Sequence, residues 1–285
     1  MPYARSGALR LYYESSGRGP AVLLILGQGM PLEAGWRTVE RLEPSFRVLT
    51  FDSRDVGRSD HSPWPYAVIQ LAQDAIAVLD AAGERRAHVY GHSLGGMIAQ
   101  ELALVHRERI GALVLGATTC GGPLAVPQDP QALTFFARVG AMDTEEAEWA
   151  AVPYSYGERT RRRHGDRIAE DIARRHGGAP PTSFCVSDTF TYLHQVTAAA
   201  SHNTVSRLGL IAAPTLVVHG GQDRILASEN ARILADAIPG AALELWPEAG
   251  HLYATDEPAA DRHVAAFLQR NAAALDDRSR EVVLS

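Results

Sequence analysis

The stretch "VYGHSLGG", residues 89–96, places a serine between glycines directly after an apolar run. The apolar residues before the first glycine predict a short buried strand, and apolar residues recur at helical spacing between 94 and 106. Ser93 therefore lies at a predicted strand-to-helix turn. Glycines at 91 and 95 keep Cβ atoms out of a tight bend whose central residue is strained.

The Gly-x-Ser-x-Gly pattern in this setting is typical of a nucleophile elbow, a turn that exposes a serine hydroxyl at the end of a sheet. The alternative is a plain glycine turn with a solvated serine. Because the pattern alone occurs by chance far more often than strand, elbow and helix together, we interpret Ser93 as a nucleophile.

The composition of the 285-residue chain is that of an ordinary globular protein, with 46% hydrophobic and 21% charged residues. The net charge of −6 gives no electrostatic support for a nucleic-acid or membrane partner. All 27 cationic side chains are arginine, which excludes Schiff-base lysine chemistry and a P-loop lysine.

Cys120 and Cys185 are too few for a disulfide framework, and the simplest interpretation is two reduced thiols in a cytoplasmic protein. The start of the sequence lacks the apolar segment of a signal peptide, and no stretch approaches the roughly 18 apolar residues of a membrane helix.

We also expect no cofactor and no metal. His219 and Asp223 stand four apart without a third ligand, and the G-x-G at Gly27 has Leu32 where a dinucleotide loop needs glycine.

Apolar strand-like runs alternate with helical patterns along most of the chain. This alternation predicts an α/β fold, a mostly parallel twisted sheet with helices on both faces. From Cys120 to about Ser206 the strand signals stop and helical patterns follow. We therefore predict a discontinuous core, residues 1–120 and 207–285, with a helical cap inserted over residues 121–206.

A serine hydroxyl needs a base to take its proton, and the base needs an anionic partner to fix its tautomer. In "LVVHGGQDR" and "WPEAGHLY", Asp223 and His251 each follow a predicted strand. All three residues come after carboxyl ends of strands, where open α/β sheets build their sites. The alternative for Asp223 is a turn residue after two glycines, and Glu248 stands too close to His251 to be the acid.

Four other histidines compete with His251 for the role of base. His92 adjoins the serine, but its side chain should point away from it. His219 ends a strand and would more simply support the acid loop. The remaining two, His194 and His202, lie in the insertion, where they would only line a pocket. His251 is therefore the predicted base.

A tetrahedral intermediate also needs amide N–H groups for its oxyanion, each worth roughly 3 kcal/mol. Leu94 at the start of the elbow helix is one predicted donor, where the helix dipole helps. Gln28 in "LGQGM" is the other, since flanking glycines let the backbone turn its N–H inward. In "FDSRDVGRSD" we expect Asp52, Arg54, Asp55 and Gly57 to form a hydrogen-bonded turn that braces the elbow.

The ordered set "LGQGM", "FDSRDVGRSD", "GHSLGG", "HGGQD" and "EAGH" resembles the α/β-hydrolase superfamily, in its lid-bearing group of esterases, lactonases and cofactor-free perhydrolases. The resemblance covers residues 5 to 272. It implies an α/β-hydrolase fold with Ser93, Asp223 and His251 as nucleophile, acid and base, and Gln28 and Leu94 as oxyanion donors. "ILGQGMPLEAGW" and "DSRDVGRS" look more like the aclacinomycin methylesterase-like branch, which cleaves methyl esters on polyketides.

The chain departs from many relatives at one position, where Leu26-Gly27 stands in place of His-Gly. The donor there is a backbone N–H, so the oxyanion hole should survive, but substrate assignments from His-Gly members do not carry over. Epoxide hydrolases and haloalkane dehalogenases resemble the pattern with Asp at the elbow, and Ser93 argues against both.

We therefore predict a serine hydrolase that cleaves a carboxylic ester through an acyl-enzyme, acting alone or as a homodimer. A thioesterase, lactonase or perhydrolase would use the same triad, and a non-catalytic binding protein on this scaffold is the alternative from another class. The small to medium, largely apolar substrate would be enclosed by Met30, Trp36, Phe135, Phe136, Tyr154, Tyr192, His202 and Tyr253. For each aromatic the alternative is ordinary core packing. The arginine run 159–163 would attract an acidic substrate or, more simply, form a solvated helix face.

Overall fold

An eight-stranded sheet runs through the part of the chain that the computed structural model describes, residues 3–139, 142, 144–176 and 189–275. Its spatial order is β1-β2-β4-β3-β5-β6-β7-β8. From β4 onward neighbouring strands are parallel, whereas β2 pairs antiparallel with β1 and β4. The strands are β1 (Tyr3–Ser6), β2 (Leu9–Ser16), β3 (Ala21–Ile25), β4 (Arg47–Phe51), β5 (Ala87–His92), β6 (Ile110–Gly116), β7 (Thr215–Gly220) and β8 (Ala242–Trp246).

Helices cover both faces of this sheet. Within the described ranges, none of them is long and apolar enough to cross a bilayer. They are α1 (Trp36–Leu42), α2 (Val68–Ala81), α3 (Leu94–Val105), α4 (Pro130–Phe136), α5 (Thr144–Ser155), α6 (Glu158–Arg163), α7 (Gly165–His176), α8 (Thr189–Ser201), α9 (Glu229–Ala237), α10 (Tyr253–Asp256) and α11 (Pro258–Arg270).

The alternation of side chains along each strand divides the core into two layers. Leu23 and Ile25 of β3 point to a cluster with α2, α3 and α9, whereas Val22 and Leu24 point to a cluster with α1, α10 and α11. Both faces of β3, β6 and β7 are therefore buried, which is why these strands are apolar throughout. The predicted parallel sheet between two helical layers is confirmed.

Between β6 and β7 the chain forms helices α4 to α8, called the cap helices below. The described residues of this segment contain no strand beyond one isolated bridge, which pairs Gly121 with Asn203. Thr204 N also donates to Cys120 O at 2.9 Å. These contacts bring the two ends of the segment together, beside the end of β6.

Candidate active site

The turn at Ser93 is the strained elbow that the sequence predicts. Ser93 has φ +57° and ψ −120°, between the end of β5 and the start of α3. Its N–H donates to Gly116 O at 2.8 Å, and its carbonyl accepts from the Thr118 hydroxyl at 2.7 Å. Bonds to neighbouring β6 and the segment after it thus hold a backbone conformation that is costly for a residue with a side chain.

The two flanking glycines are required by space. A Cβ at position 91 would lie 2.2 Å from the Gly95 carbonyl oxygen, and one at position 95 would lie 2.0 Å from Ile25 O. Helix α3 therefore begins in direct contact with β3, and the serine side chain is left at the carboxyl end of the sheet.

Asp223 and His251 form a buried pair at the same edge of the sheet. His251 Nδ1 lies 2.7 Å from Asp223 Oδ2. Because a carboxylate only accepts, Nδ1 carries the proton and Nε2 is left as the basic nitrogen. Burial by itself would raise the pKa of Asp223, but the His251 charge and hydrogen bonds from His219 and His251 hold that pKa well below its usual range.

His219 is a second histidine on the acid. Its Nε2 lies 3.0 Å from Asp223 Oδ2 and 3.0 Å from Leu226 O. Because the carbonyl can only accept, Nε2 of His219 is the protonated nitrogen and donates to both. The other carboxylate oxygen accepts the amides of Ile225 and Leu226 at 2.8 and 2.9 Å, so Asp223 is anchored from several directions.

His92 braces the backbone of the predicted base. Its Nε2 donates to His251 O at 3.0 Å, and the two rings lie 4.9 Å apart, edge to face. Burial, followed by the nearby His251 charge, lowers the pKa of His92 to about 3, so the ring is neutral near pH 7. As the sequence predicts, this side chain does not serve Ser93.

The link from hydroxyl to imidazole is the one part of the triad that is not closed. Among the described residues, the hydrogen bonds of Ser93 are all made by its backbone atoms. In unliganded enzymes such bonds are often long and tighten when substrate binds. The structure thus brings His251 and Asp223 into contact and places Ser93 at the same edge of the sheet, without a bond from Ser93 Oγ.

The loop after β3, residues 27–30, lies against the serine and is called the oxyanion loop below, after the role predicted for Gln28. A Cβ at Gly27 would lie 3.2 Å from Ser93 Cβ. Met30 N closes a turn onto Gly27 O at 3.2 Å, and Gly29 has φ +66°. No acceptor among the described residues takes the N–H of Gln28 or of Leu94. Both predicted donors therefore remain available for a ligand.

The predicted turn after β4 forms, and among the described residues its hydrogen bonds do not reach the elbow at 91–95. Asp52 is buried and accepts Leu32 N at 2.8 Å and Arg58 N at 2.9 Å, while Arg54 pairs with Asp74 at 2.6 Å. A Cβ at Gly57 would lie 2.4 Å from the Asp52 carboxylate. The turn braces the chain after β3 because β4 is the neighbour of β3, with β5 on the other side.

Three predicted pocket residues make other contacts in the structure. Trp36 is held by Asp171, 3.2 Å from its Nε1, with the guanidinium groups of Arg37 and Arg174 over its ring. Tyr253 is fully buried in the core, its hydroxyl 2.6 Å from that of Tyr90. His202 lines a separate surface pocket with Glu101 and Arg207. None of these contacts involves Ser93, Asp223 or His251, so a pocket role for these three residues stays a prediction.

The other described pocket candidates lie in the loop after β3 and in the cap helices. Met30 is buried and lines a cavity of about 50 Å³ together with Leu26 and His92. In the cap helices Phe135 stacks on Tyr154 at 5.2 Å and contacts Phe136 at 5.0 Å. Arg224, next to the acid, lies 4.8 Å from the Tyr154 ring. The side chain of Tyr192 lies outside the described residues.

The arginine run 159–163 takes part in structural contacts. Arg159 pairs with Glu257 of the core, Arg161 Nε donates to Tyr156 O at 3.2 Å, and Arg162 pairs with Glu158 on its own helix. These contacts agree with a solvated, structural helix face.

Comparisons with known proteins agree with the fold. The model of the alpha/beta hydrolase fold family matches residues 20–258. The putative carbamate hydrolase RutD of Azorhizobium caulinodans is 32% identical over 263 residues, 90% of this chain and 94% of its own length. The poly(3-hydroxyalkanoate) depolymerase of Ectopseudomonas oleovorans is 30% identical over 81% of this chain and 78% of its own.

Among solved structures, Est816, described as an N-acyl homoserine lactone degrading enzyme, is 27% identical with a TM-score of 0.75 and covers 94% of this chain and 99% of its own. A hydrolase from Pseudomonas aeruginosa PA01 is 29% identical with a TM-score of 0.77, covering 93% and 97%. Family model, curated relatives and solved structures agree on one fold and one general chemistry. This chain belongs to the α/β-hydrolase family of enzymes.

Proposed function

We propose that the protein is a serine hydrolase that cleaves a carboxylic ester of a small to medium, largely apolar substrate through an acyl-enzyme. The observation that carries this proposal is the buried His251–Asp223 pair, 2.7 Å apart, at the sheet edge that also holds the strained Ser93 turn. The pair supplies a base with its tautomer already fixed, and the turn presents a hydroxyl.

In the first half-reaction His251 Nε2 takes the Ser93 proton as Oγ attacks the ester carbonyl carbon. The negative charge that develops on the carbonyl oxygen is stabilised by the free amides of Gln28 and Leu94. The tetrahedral intermediate then collapses, the ester C–O bond breaks, and His251 gives the proton to the leaving alcohol. Asp223 stays ionised and stabilises the imidazolium.

In the second half-reaction water replaces the alcohol. His251 takes a proton from the water as its oxygen attacks the acyl-enzyme carbonyl, and the same amides hold the second oxyanion. Collapse releases the carboxylic acid and returns the proton to Ser93 Oγ. One water is consumed for each ester cleaved, and no cofactor or metal enters the cycle.

The names of the relatives support carbonyl substrates of this kind. RutD is named as a putative carbamate hydrolase, and the Ectopseudomonas protein as a poly(3-hydroxyalkanoate) depolymerase. Est816 is described as degrading a lactone, which favours a cyclic ester as a second candidate substrate. The methylesterase-like branch, a thioesterase and a perhydrolase remain alternatives with the same triad, and a non-catalytic binding protein is the alternative from another class.

We further propose that residues 121–206 act as a cap over the site. The aromatic cluster of Phe135, Phe136 and Tyr154 would supply apolar walls, because it reaches the acid loop through Arg224. The predicted substrate is correspondingly apolar on the acyl or alcohol side.

The test is turnover of short p-nitrophenyl esters by wild type and by Ser93→Ala. We expect kcat to fall at least about 10³-fold, because the nucleophile acts as one unit with its base. A fluorophosphonate probe should label Ser93 in wild type, and an unlabelled protein would instead support the binding-protein alternative. A panel of oxygen esters, thioesters, lactones and carbamates then ranks the substrate classes.

A further inference from the structure

A glutamine of the cap helices reaches into the oxyanion loop. Gln195 of α8 is 2% exposed, and its Oε1 accepts a hydrogen bond from Gly29 N at 2.7 Å. Its Nε2 donates to Arg54 O at 3.2 Å, in the loop after β4. These partners fix the orientation of the amide, because one is a donor and the other an acceptor. Gln195 thus links its own helix, α8, to two loops of the core.

The bond to Gly29 holds one peptide of the oxyanion loop. Gly29 is the third residue of the turn closed by Met30 N and Gly27 O, and its φ of +66° is the value that a type II turn requires there. Holding the Gly29 N–H selects one orientation of the peptide between Gln28 and Gly29. The first residue of the same turn, Gly27, lies against Ser93.

The two anchors of this loop come from different parts of the molecule. Asp52 of the core holds the chain two residues after the loop, because it accepts Leu32 N at 2.8 Å. Gln195 of α8 holds the turn itself. A buried amide N–H that loses its acceptor is costly, so without Gln195 the turn would move to find another partner. Any such movement would displace the neighbouring Gln28 N–H.

We propose that Gln195 is a positioning residue for the reaction: by holding Gly29 N–H, it keeps the Gln28 amide directed at the carbonyl oxygen that becomes the oxyanion. This inference rests on the proposed function, in which Gln28 is an oxyanion donor. It also makes catalysis dependent on the seating of α8, because lifting that helix from the core would remove the acceptor of Gly29 N–H.

The decisive variant is Gln195→Met, which keeps the length of the side chain and removes both hydrogen bonds. Loss of a whole oxyanion donor costs about 10² to 10³ in kcat, and a displaced donor should cost less, about tenfold. KM for a p-nitrophenyl ester should stay within about twofold. Affinity for a trifluoromethyl ketone should fall by the same factor as kcat, because its hemiketal oxyanion would use the same amides.

Arg159→Gln is the matched control. It removes an ion pair between the cap helices and the core, that of Arg159 with Glu257, which lies outside the oxyanion loop. Its kcat and its affinity for the ketone should both stay within about twofold of wild type. A general loosening of the cap would instead lower both values in the two variants alike, and that result would overturn the proposal.

Gln195→Glu covers the case in which Gln195→Met does not fold. It keeps the shape and one oxygen facing Gly29 N, but sets a carboxylate against Arg54 O, so kcat should fall about threefold. If a folded variant has an unchanged kcat, or changes only in KM, Gln195 is not a positioning residue. The proposed function would still stand in that case, because the wild type would be active. A wild type with no ester turnover and no fluorophosphonate adduct would overturn the proposed function as well.

Discussion

The two halves of the proposed site are anchored differently. The acid–base half, Asp223 with His251, is held by core residues: His219 and the amides after Asp223 bind the acid, and His92 binds the backbone of the base. The oxyanion half is held at one end by Asp52 of the core and at the turn by Gln195 of the cap helices. The side chains of Asp223 and His251 thus bind core partners, whereas a side chain of the cap helices directly holds the turn of the oxyanion half. The cap also contacts the chain beside the acid and the base, because Leu252 N donates to Ser155 O at 2.8 Å and Glu158 N donates to Gln222 Oε1 at 2.7 Å.

The largest effect should come from the acid–base half. Asp223→Asn keeps the shape of the side chain but presents an amide to His251 Nδ1, which favours the wrong tautomer of the base. We expect kcat for a p-nitrophenyl ester to fall about 10⁴-fold. Steady-state kinetics on a variant with wild-type circular dichroism measures this. A loss of less than about tenfold would show that Asp223 is not the acid.

The core anchor of the oxyanion half should show an effect on both rate and stability. In Asp52→Asn an amide replaces an oxygen that accepts Leu32 N or Arg58 N, so one buried donor loses its acceptor. We expect a loss of about 1–3 kcal/mol in the free energy of unfolding and a fall in kcat of about tenfold. Urea denaturation and kinetics would measure these, with Asp80→Asn, at an exposed ion pair with Arg109, as control. Equal losses in both variants would contradict the anchoring role.

A smaller effect should show whether His219 stabilises the charge of the Asp223 carboxylate or only packs against it. The N–H of His219 stabilises the Asp223 carboxylate, so removing it makes that carboxylate a stronger partner for protonated His251. In His219→Leu the acid limb of kcat/KM against pH should therefore move to higher pH, by about 0.5 to 1 unit. In the described part of the chain, the other titratable group in contact with His251 is His92, which stays neutral over this range.

His219→Gln is the matched variant for this measurement, because its side-chain N–H reaches about the same position as Nε2 of the histidine. Its acid limb should stay within about 0.2 unit of wild type. If the acid limbs of kcat/KM for His219→Leu and His219→Gln lie at the same pH, the hydrogen bond to Asp223 does not affect the base. His219 would then contribute packing alone.

Local patterns account for most of the fold and for the candidate triad. The apolar runs of β3, β6 and β7 indicate strands that are buried on both faces. The elbow at Ser93 is predictable because its glycines are required by contacts with residues a few positions away and with one neighbouring strand. Asp223 and His251 are predictable because each follows a strand of the same parallel sheet. Such features depend on periodicity and spacing, which a sequence records directly.

Contacts between distant segments are a different matter. Nothing in the residues around Trp36 or Tyr253 indicates that the first would bind Asp171 and the second Tyr90, since both rings look equally suited to a pocket wall. The turn after β4 braces the chain after β3 because of the order of strands in the sheet, which is not the order in the sequence.

The sequence by itself therefore determined the parallel α/β sheet, the elbow, and the positions of Ser93, Asp223 and His251 after strands of that sheet, because each rests on short-range geometry. Only the tertiary structure decided that His219 shares the carboxylate of Asp223 and that Gln195 holds the oxyanion loop from the cap helices. The physical reason is that a glutamine side chain binds whichever donor and acceptor the fold brings within about 3 Å of it. Gly29 and Arg54 lie more than a hundred residues away along the chain, and only folding brings them to Gln195.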